Sequence, residues 1–205
     1  MYRTSAVLLA AGFSSRMGSL KALLPLRTSS LIEYQVESLG ASGVDDVFVV
    51  VGHRGHDLAA RISNRPHVTI VDNPDFAEGK TTSIKAGLQY IDSSYTAVLV
   101  LAVDQPRPVS VLSALIDSHY KSDAPITFPV FEGHSGHPII FSSSLLSELK
   151  AITEENEGLR QISRSYRGVT NIVDWQSAVV TLDVNTPEDL LEAEKLLPDE
   201  FISGR

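Results

Sequence analysis

Short runs of aliphatic and β-branched residues alternate along the chain with stretches whose apolar positions recur every three or four residues. The runs at 5–10, 47–51, 68–71, 97–101 and 126–129 are mostly apolar throughout instead of alternating with polar residues. That pattern predicts strands covered on both faces, as in a parallel sheet. Between them, Ile32, Val36 and Leu39 are spaced by four and three, as are Ile84, Leu88 and Ile91. Leu112, Leu115, Ile116 and His119 share one face of a further predicted helix. Thr186-Pro187-Glu188-Asp189 reads as an N-cap, a first-turn proline and an acidic first turn ahead of Leu190, Ala193 and Leu197. Strand and helix in alternation predict an α/β fold: a single domain with a mostly parallel mixed sheet flanked by helices. The expected domain spans 1–197, followed by a tail at 198–205. No repeat or linker breaks it. The stretch 132–136 reads as a loop, because apolar β-type sequence resumes at once.

Composition narrows the function. A length of 205 residues suits one full core. The formal net charge of −8 argues against a general nucleic-acid or anionic-membrane binder, which would draw its affinity from excess Lys and Arg. With no cysteine, the chain alone offers no disulfide, thiolate zinc site or iron–sulfur cluster. The apolar run 6–11 is too short for a signal peptide, and no run approaches a membrane span. The cytoplasm is the expected compartment.

Five stretches carry candidate chemistry. The first is Val7-Leu8-Leu9-Ala10-Ala11-Gly12-Phe13-Ser14-Ser15-Arg16-Met17-Gly18-Ser19-Leu20-Lys21. A strand runs into a small-residue loop whose backbone N–H groups are open to approach, and Arg16 and Lys21 can converge on one anion. The loop is equipped for a triphosphate, yet it has neither the dinucleotide G-x-G-x-x-G spacing nor a Walker A spacing. The second is Val103-Asp104-Gln105-Pro106, where an acidic residue follows a buried strand at the sheet edge that binds ligands in open α/β folds. Asp104 equally suits a helix-capping carboxylate. The third is Asp183-Val184-Asn185-Thr186, with Thr186 better read as a cap than as catalytic.

In the fourth, Asn73-Pro74-Asp75-Phe76-Ala77-Glu78-Gly79-Lys80-Thr81-Thr82-Ser83, the triplet Gly79-Lys80-Thr81 mimics the end of a Walker A loop, but Pro74 stands where its first Gly belongs. What remains is a helix N-terminus rich in hydroxyls, suited to an anion or a ribose, with plain capping an equal reading for Thr81. The fifth is His134-Ser135-Gly136-His137-Pro138; together with His53 and His56 it gives a weak zinc signal, lacking a third ligand at suitable spacing. No G-x-S-x-G elbow supports a hydrolase.

The first stretch resembles the signature (L/A)AAG-x-(G/S)-x-RMG-x-x-K of the nucleotidyltransferases with a glycosyltransferase-A-type, Rossmann-like fold. Five segments match in order, from Leu8 to Leu190. The resemblance is greatest to the molybdenum cofactor cytidylyltransferases and their relatives, through Gly136-His137-Pro138 followed by Phe141. It implies transfer of CMP from CTP to a phosphate-bearing acceptor, molybdopterin carrying molybdenum, with release of pyrophosphate. Arg16 and Lys21 would be the catalytic cations. Leu9, Ala10, Ala11, Gly12, Ser14, Ser15 and Gly18, with Gly79, Thr82 and Ser83, would hold the nucleotide. Asp104 with Asn185 or Asp183 would bind Mg²⁺, and His137 would lie near the acceptor, although a structural histidine tied to the backbone fits the residues as well.

Relatives often carry Asp where this chain has Asn185, and Gly where it has Val103, so a non-catalytic nucleotide-binding partner of a molybdenum enzyme is the alternative from another class. A different nucleotide such as GTP, or a sugar or polyol phosphate acceptor, is the alternative within the same chemistry. The guanylyl-transferring relatives usually show L-A-G-G where this chain has Leu9-Ala10-Ala11-Gly12, which tilts the reading towards CTP. A chaperone-like or molybdenum-enzyme partner is a further expectation. An acceptor phosphate is already ionised at neutral pH, so such a transfer needs positioning and charge compensation more than a strong base.

Overall fold

In the computed structural model, which describes residues 2–12 and 20–199, the chain begins with β1 (Thr4–Ala10), buried at every position. A two-residue hairpin, β2 (Pro25–Leu26) and β3 (Ser29–Ser30), leads into α1 (Leu31–Ala41). Ser30 and Glu33 close a capping box there, satisfying free amides of the first turn. The chain continues through β4 (Asp46–Val51), α2 (Gly55–Ile62), β5 (Val68–Asp72), α3 (Lys80–Leu88) and β6 (Ala97–Ala102). Then follow α4 (Val109–Ser122), β7 (Ile126–Phe131), β8 (His134–Ser135), β9 (Ile139–Ser142), α5 (Leu146–Lys150), α6 (Leu159–Ser165), β10 (Asn171–Asp174) and α7 (Pro187–Leu196).

The main sheet runs β10-β7-β9-β6-β1-β4-β5, with β8 paired to β7. Strands β6, β1, β4 and β5 are parallel, with Leu9 opposite Ala102, Ala10 opposite Val51 and Val51 opposite Asp72. Their carboxyl ends therefore form one row, and the loops that follow them share an edge. β9 reverses direction between β6 and β7, placing Ile139 opposite Val100. The turn before β9 is thereby delivered to the edge reached by β6. Its His137–Pro138 peptide is cis.

Side chains alternate across β1: Ala6, Leu8 and Ala10 enter one apolar cluster, and Val7 and Leu9 the other. The first cluster includes Leu31, Val36, Leu112 and Leu115; the second includes Ile84, Leu88, Leu145 and Leu149. A sheet covered on both faces is what the unbroken apolar runs predict. All five runs are strands. The β-type sequence expected after 132–136 is β9, whereas four-residue β10 and the short α2, α5 and α6 carry no comparable signal and were not anticipated. Residues 198 and 199 were assigned to the tail, yet Arg27 pairs with Asp199 and donates to the Glu194 and Leu197 carbonyls.

Candidate active site

At the carboxyl edge of the parallel strands lies a cleft of about 340 Å³, whose lining includes Gly12, Lys21, Gly79, Lys80, Ser83 and Asp104. Leu9, Ala10 and Ala11 form its floor at the end of β1. Lys21 opens a single 3-10 turn, Lys21–Leu23, and its ammonium is aimed at the end of β6. Nζ donates to Asp104 Oδ2 and to Asn185 Oδ1, each at 3.0 Å. One cation thus gathers two oxygen ligands from distant parts of the chain.

The late segment is fixed to β6 by a backbone bond, Val184 N–H to the Asp104 carbonyl at 2.7 Å. Thr186 then caps α7 reciprocally with Asp189, whose carboxylate also accepts the Asn185 N–H at 2.8 Å. That bond, ahead of those from Thr186, holds the Asp189 carboxyl below its usual range. Thr186 is a cap, as expected, and the cap sets the position of Asn185.

Asp183 is brought to the same place, and burial holds its carboxyl above the ordinary range. Gln105 opposes that shift by favouring the charged carboxylate. The Gln105 amide also meets His137 Nδ1 at 3.1 Å, while its Oε1 accepts the Ala102 N–H at 3.1 Å. His137 is pushed down to about 4 by burial, with the positive charges of Arg107 and Lys80 acting the same way. Its imidazole is neutral at physiological pH.

Beneath this group, Arg107 is fully buried. Its guanidinium donates to the carbonyls of Pro106, His137, Val180 and Leu182 at 2.8–3.0 Å. Burial lowers it to about 10, the nearby carboxylates of Asp183 and Asp104 opposing that shift, so it keeps its charge. Gln35 of α1 completes the support: its amide donates to the carbonyls of Ala102 and Gln105, and its Oε1 accepts the Arg107 N–H.

The start of α3 divides three expected ligands. Gly79, at φ 131°, and Ser83 line the cleft. Thr82 instead faces a neighbouring cavity, its hydroxyl donating to the Gly79 carbonyl at 2.8 Å and accepting from Asn73. Thr81 is not the N-cap; Glu154 accepts both its N–H, at 2.6 Å, and its hydroxyl. Arg16, Ser14, Ser15 and Gly18 lie outside the described residues.

Sequence reasoning missed Gln105, Arg107 and Gln35, because their partners are tens of residues away. Lys80 was visible but set aside with the Walker-like triplet. Among the described residues, no three carboxylate or imidazole groups converge into a preformed metal cage.

Among known proteins, the chain is 29% identical to the molybdenum cofactor cytidylyltransferase of Escherichia coli K12, the alignment covering 92% of this chain and 94% of that one. It is 30% identical to the nicotine blue oxidoreductase of Paenarthrobacter nicotinovorans, over 90% of this chain and 93% of that one. A solved nucleotidyl transferase from Methanothermobacter thermautotroptrophicus superposes with a TM-score of 0.77 at 24% identity, covering 94% of this chain and 96% of the other. That likeness speaks for the fold. The stretch 6–169, which holds the small-residue loop, Asp104 and His137, matches the MobA-like NTP transferase domain, and the chain belongs to that family of nucleotidyltransferases.

Proposed function

We propose that the chain transfers CMP from CTP to a phosphate-bearing acceptor, most closely molybdopterin carrying molybdenum, and releases pyrophosphate. The observation that carries this reading is Lys21 held between Asp104 and Asn185 in a cleft at the carboxyl edge of the parallel strands. An ammonium bound to two side-chain oxygens marks a spot that favours positive charge. Asp104, Asp183 and Asn185 are hard oxygen donors, suited to Mg²⁺, which needs few protein ligands when phosphate oxygens supply the others. When bound there, the ion would supply compensation for the charge of the triphosphate.

The chain's own residues then have separable tasks. Gly12 and its neighbours offer backbone N–H groups to phosphate, and Lys21 with Arg16 offset negative charge. Gly79, Ser83 and the Leu9–Ala11 floor hold the nucleoside. An acceptor phosphate oxygen forms the new bond to the α-phosphorus, the bond to the β-phosphate oxygen breaks, and pyrophosphate departs with that electron pair. No general base is required, since the attacking oxygen is already ionised. His137 stands on the acceptor side.

We assign the nucleotidyltransferase domain to 1–197 and the compartment to the cytoplasm; among the described residues no helix is long and apolar enough to cross a membrane. A molybdenum enzyme or its chaperone is the natural recipient of the product. Asn185, an amide where a carboxylate would grip a metal harder, favours a nucleotide-binding protein without turnover as the second reading.

Calorimetric titration with CTP, GTP, UTP and ATP, with and without Mg²⁺, tests the proposal. Magnesium-dependent preference for CTP supports it, and another preferred nucleotide replaces CTP. Pyrophosphate release with a molybdopterin acceptor separates an enzyme from a protein that only saturates.

A further inference from the structure

Gln105 joins the end of β6 to His137, and its orientation is fixed by a group that has only one role to offer. The Ala102 backbone N–H can only donate, so the atom it meets at 3.1 Å is the Gln105 oxygen. The NH₂ end is therefore the one that faces His137 Nδ1 at 3.1 Å. An amide NH₂ only donates, so Nδ1 must accept, and the single proton of the neutral ring sits on Nε2. The same amide acts on the Asp183 carboxyl, favouring its charged form. Gln105 is 5% exposed, and its carbonyl accepts from Gln35 at 2.6 Å, so backbone and side chain are both held.

His137 is held as firmly. Its N–H donates to the Val180 carbonyl at 2.8 Å, and its own carbonyl accepts from Arg107 Nε at 2.8 Å. With backbone and Nδ1 committed, Nε2 is the polar atom of this residue that no described residue engages.

We propose that Gln105 is a positioning residue that locks His137 as the Nε2–H tautomer, so that the ring presents a hydrogen-bond donor to an anionic oxygen of the second substrate. The proposal deepens the acceptor-side role given to His137 and rests on that reading. Arg107 and Lys80 bring positive charge to bear on His137, with Asp104 opposing them more weakly, which suits such an oxygen. A neutral donor does its work without a proton being exchanged, and an adjoining buried cation keeps it neutral. The same amide acts on Asp183, so one side chain couples His137 to a candidate metal ligand.

Nitrogen-15 spectra of the full chain labelled at histidine read the tautomer directly. The His137→Asn variant identifies the His137 signals among the six histidines. Wild-type protein at neutral pH is expected to show a protonated Nε2 and an unprotonated Nδ1. Gln105→Glu, of the same shape, puts an acceptor against Nδ1 and should move the proton there or protonate both nitrogens. Should the added carboxylate beside Asp183 prevent folding, judged by circular dichroism, Gln105→Met removes both donors without charge and should give a mixture of tautomers.

A wild-type proton on Nδ1, or a tautomer unchanged in the folded variants, overturns the lock. Inorganic phosphate is the probe for the outward nitrogen. It should perturb Nε2 in the wild type and require about tenfold more phosphate in a folded Gln105→Glu variant whose ring proton has moved to Nδ1. Equal response in both, or none in the wild type, overturns the recognition half. Calorimetry with CTP on the same samples separates the two levels: a locked tautomer without nucleotide binding removes the enzymatic reading alone, and nucleotide binding without the lock removes this inference alone.

Discussion

Lys21 reaches partners 83 and 164 residues further along the chain, and those two contacts set what its loss should do. Lys21→Ala should lower kcat/KM by about a hundredfold to a thousandfold, the scale seen when one charge-stabilising donor is removed. The melting temperature should fall by no more than about 5 °C, because the Lys21–Asp104 pair is only partly buried, at the open edge of the sheet. Asp104→Asn should raise the Mg²⁺ concentration needed for half-maximal nucleotide binding, with the fold retained; an unchanged metal titration would favour a purely capping role. Arg107→Met is the opposite case. It removes the side-chain donor from four carbonyls, of which that of Val180 keeps a second donor in the His137 N–H, and should cost about 3 kcal/mol in urea unfolding. Lys21 and Asp104 were legible because each follows a strand-like run in a loop of recognisable chemistry. Arg107 was not. An arginine between two prolines looks like surface, and nothing nearby tells that Val180 and Leu182 will come to it.

Among the elements, the junction of β8 and β9 leaves no room for a side chain. A methyl group added at Gly136 would lie 2.3 Å from the Val180 carbonyl oxygen, a backbone atom that cannot swing aside. Gly136→Ala should therefore push the 180–185 segment outward, lowering the melting temperature and weakening Mg²⁺-dependent nucleotide binding together in thermal melts and calorimetry. A fall in stability with unchanged metal dependence would separate that segment from the site. β1, β4 and β6 were readable from composition because both their faces are covered. β10 was not, since its four residues alternate between partly buried and exposed and include only Ile172 and Val173 as apolar side chains. In α2, Leu58 and Ile62 are the buried positions, too few to declare a helix by periodicity. The start of α3 was legible as a helix terminus, but its cap came from Glu154, which no local pattern could supply.

Across the whole molecule, the buried histidines tie stability to pH. Burial depresses His119 and His137, the latter to about 4, whereas the unfolded chain binds those protons near 6.5. Between those values the unfolded state holds more protons than the folded one, so stability is fully present above pH 6.5 and falls as the pH drops towards 4. Asp183, raised by burial, opposes the trend at its lower end. Urea midpoints measured across this window should decline with acidification, and His137→Asn should flatten the decline. The reversal of β9 has a consequence on the same scale. Everything from β7 to β10 joins the parallel half of the sheet through the β6–β9 seam and returns to it with two short stretches, one around His137 and one around Asp183. On the reading proposed here, giver and receiver of the nucleotide are housed on opposite banks of that seam. A descendant of this chain could take up a new acceptor by exchanging one bank, and keep unaltered the way it grips its nucleotide.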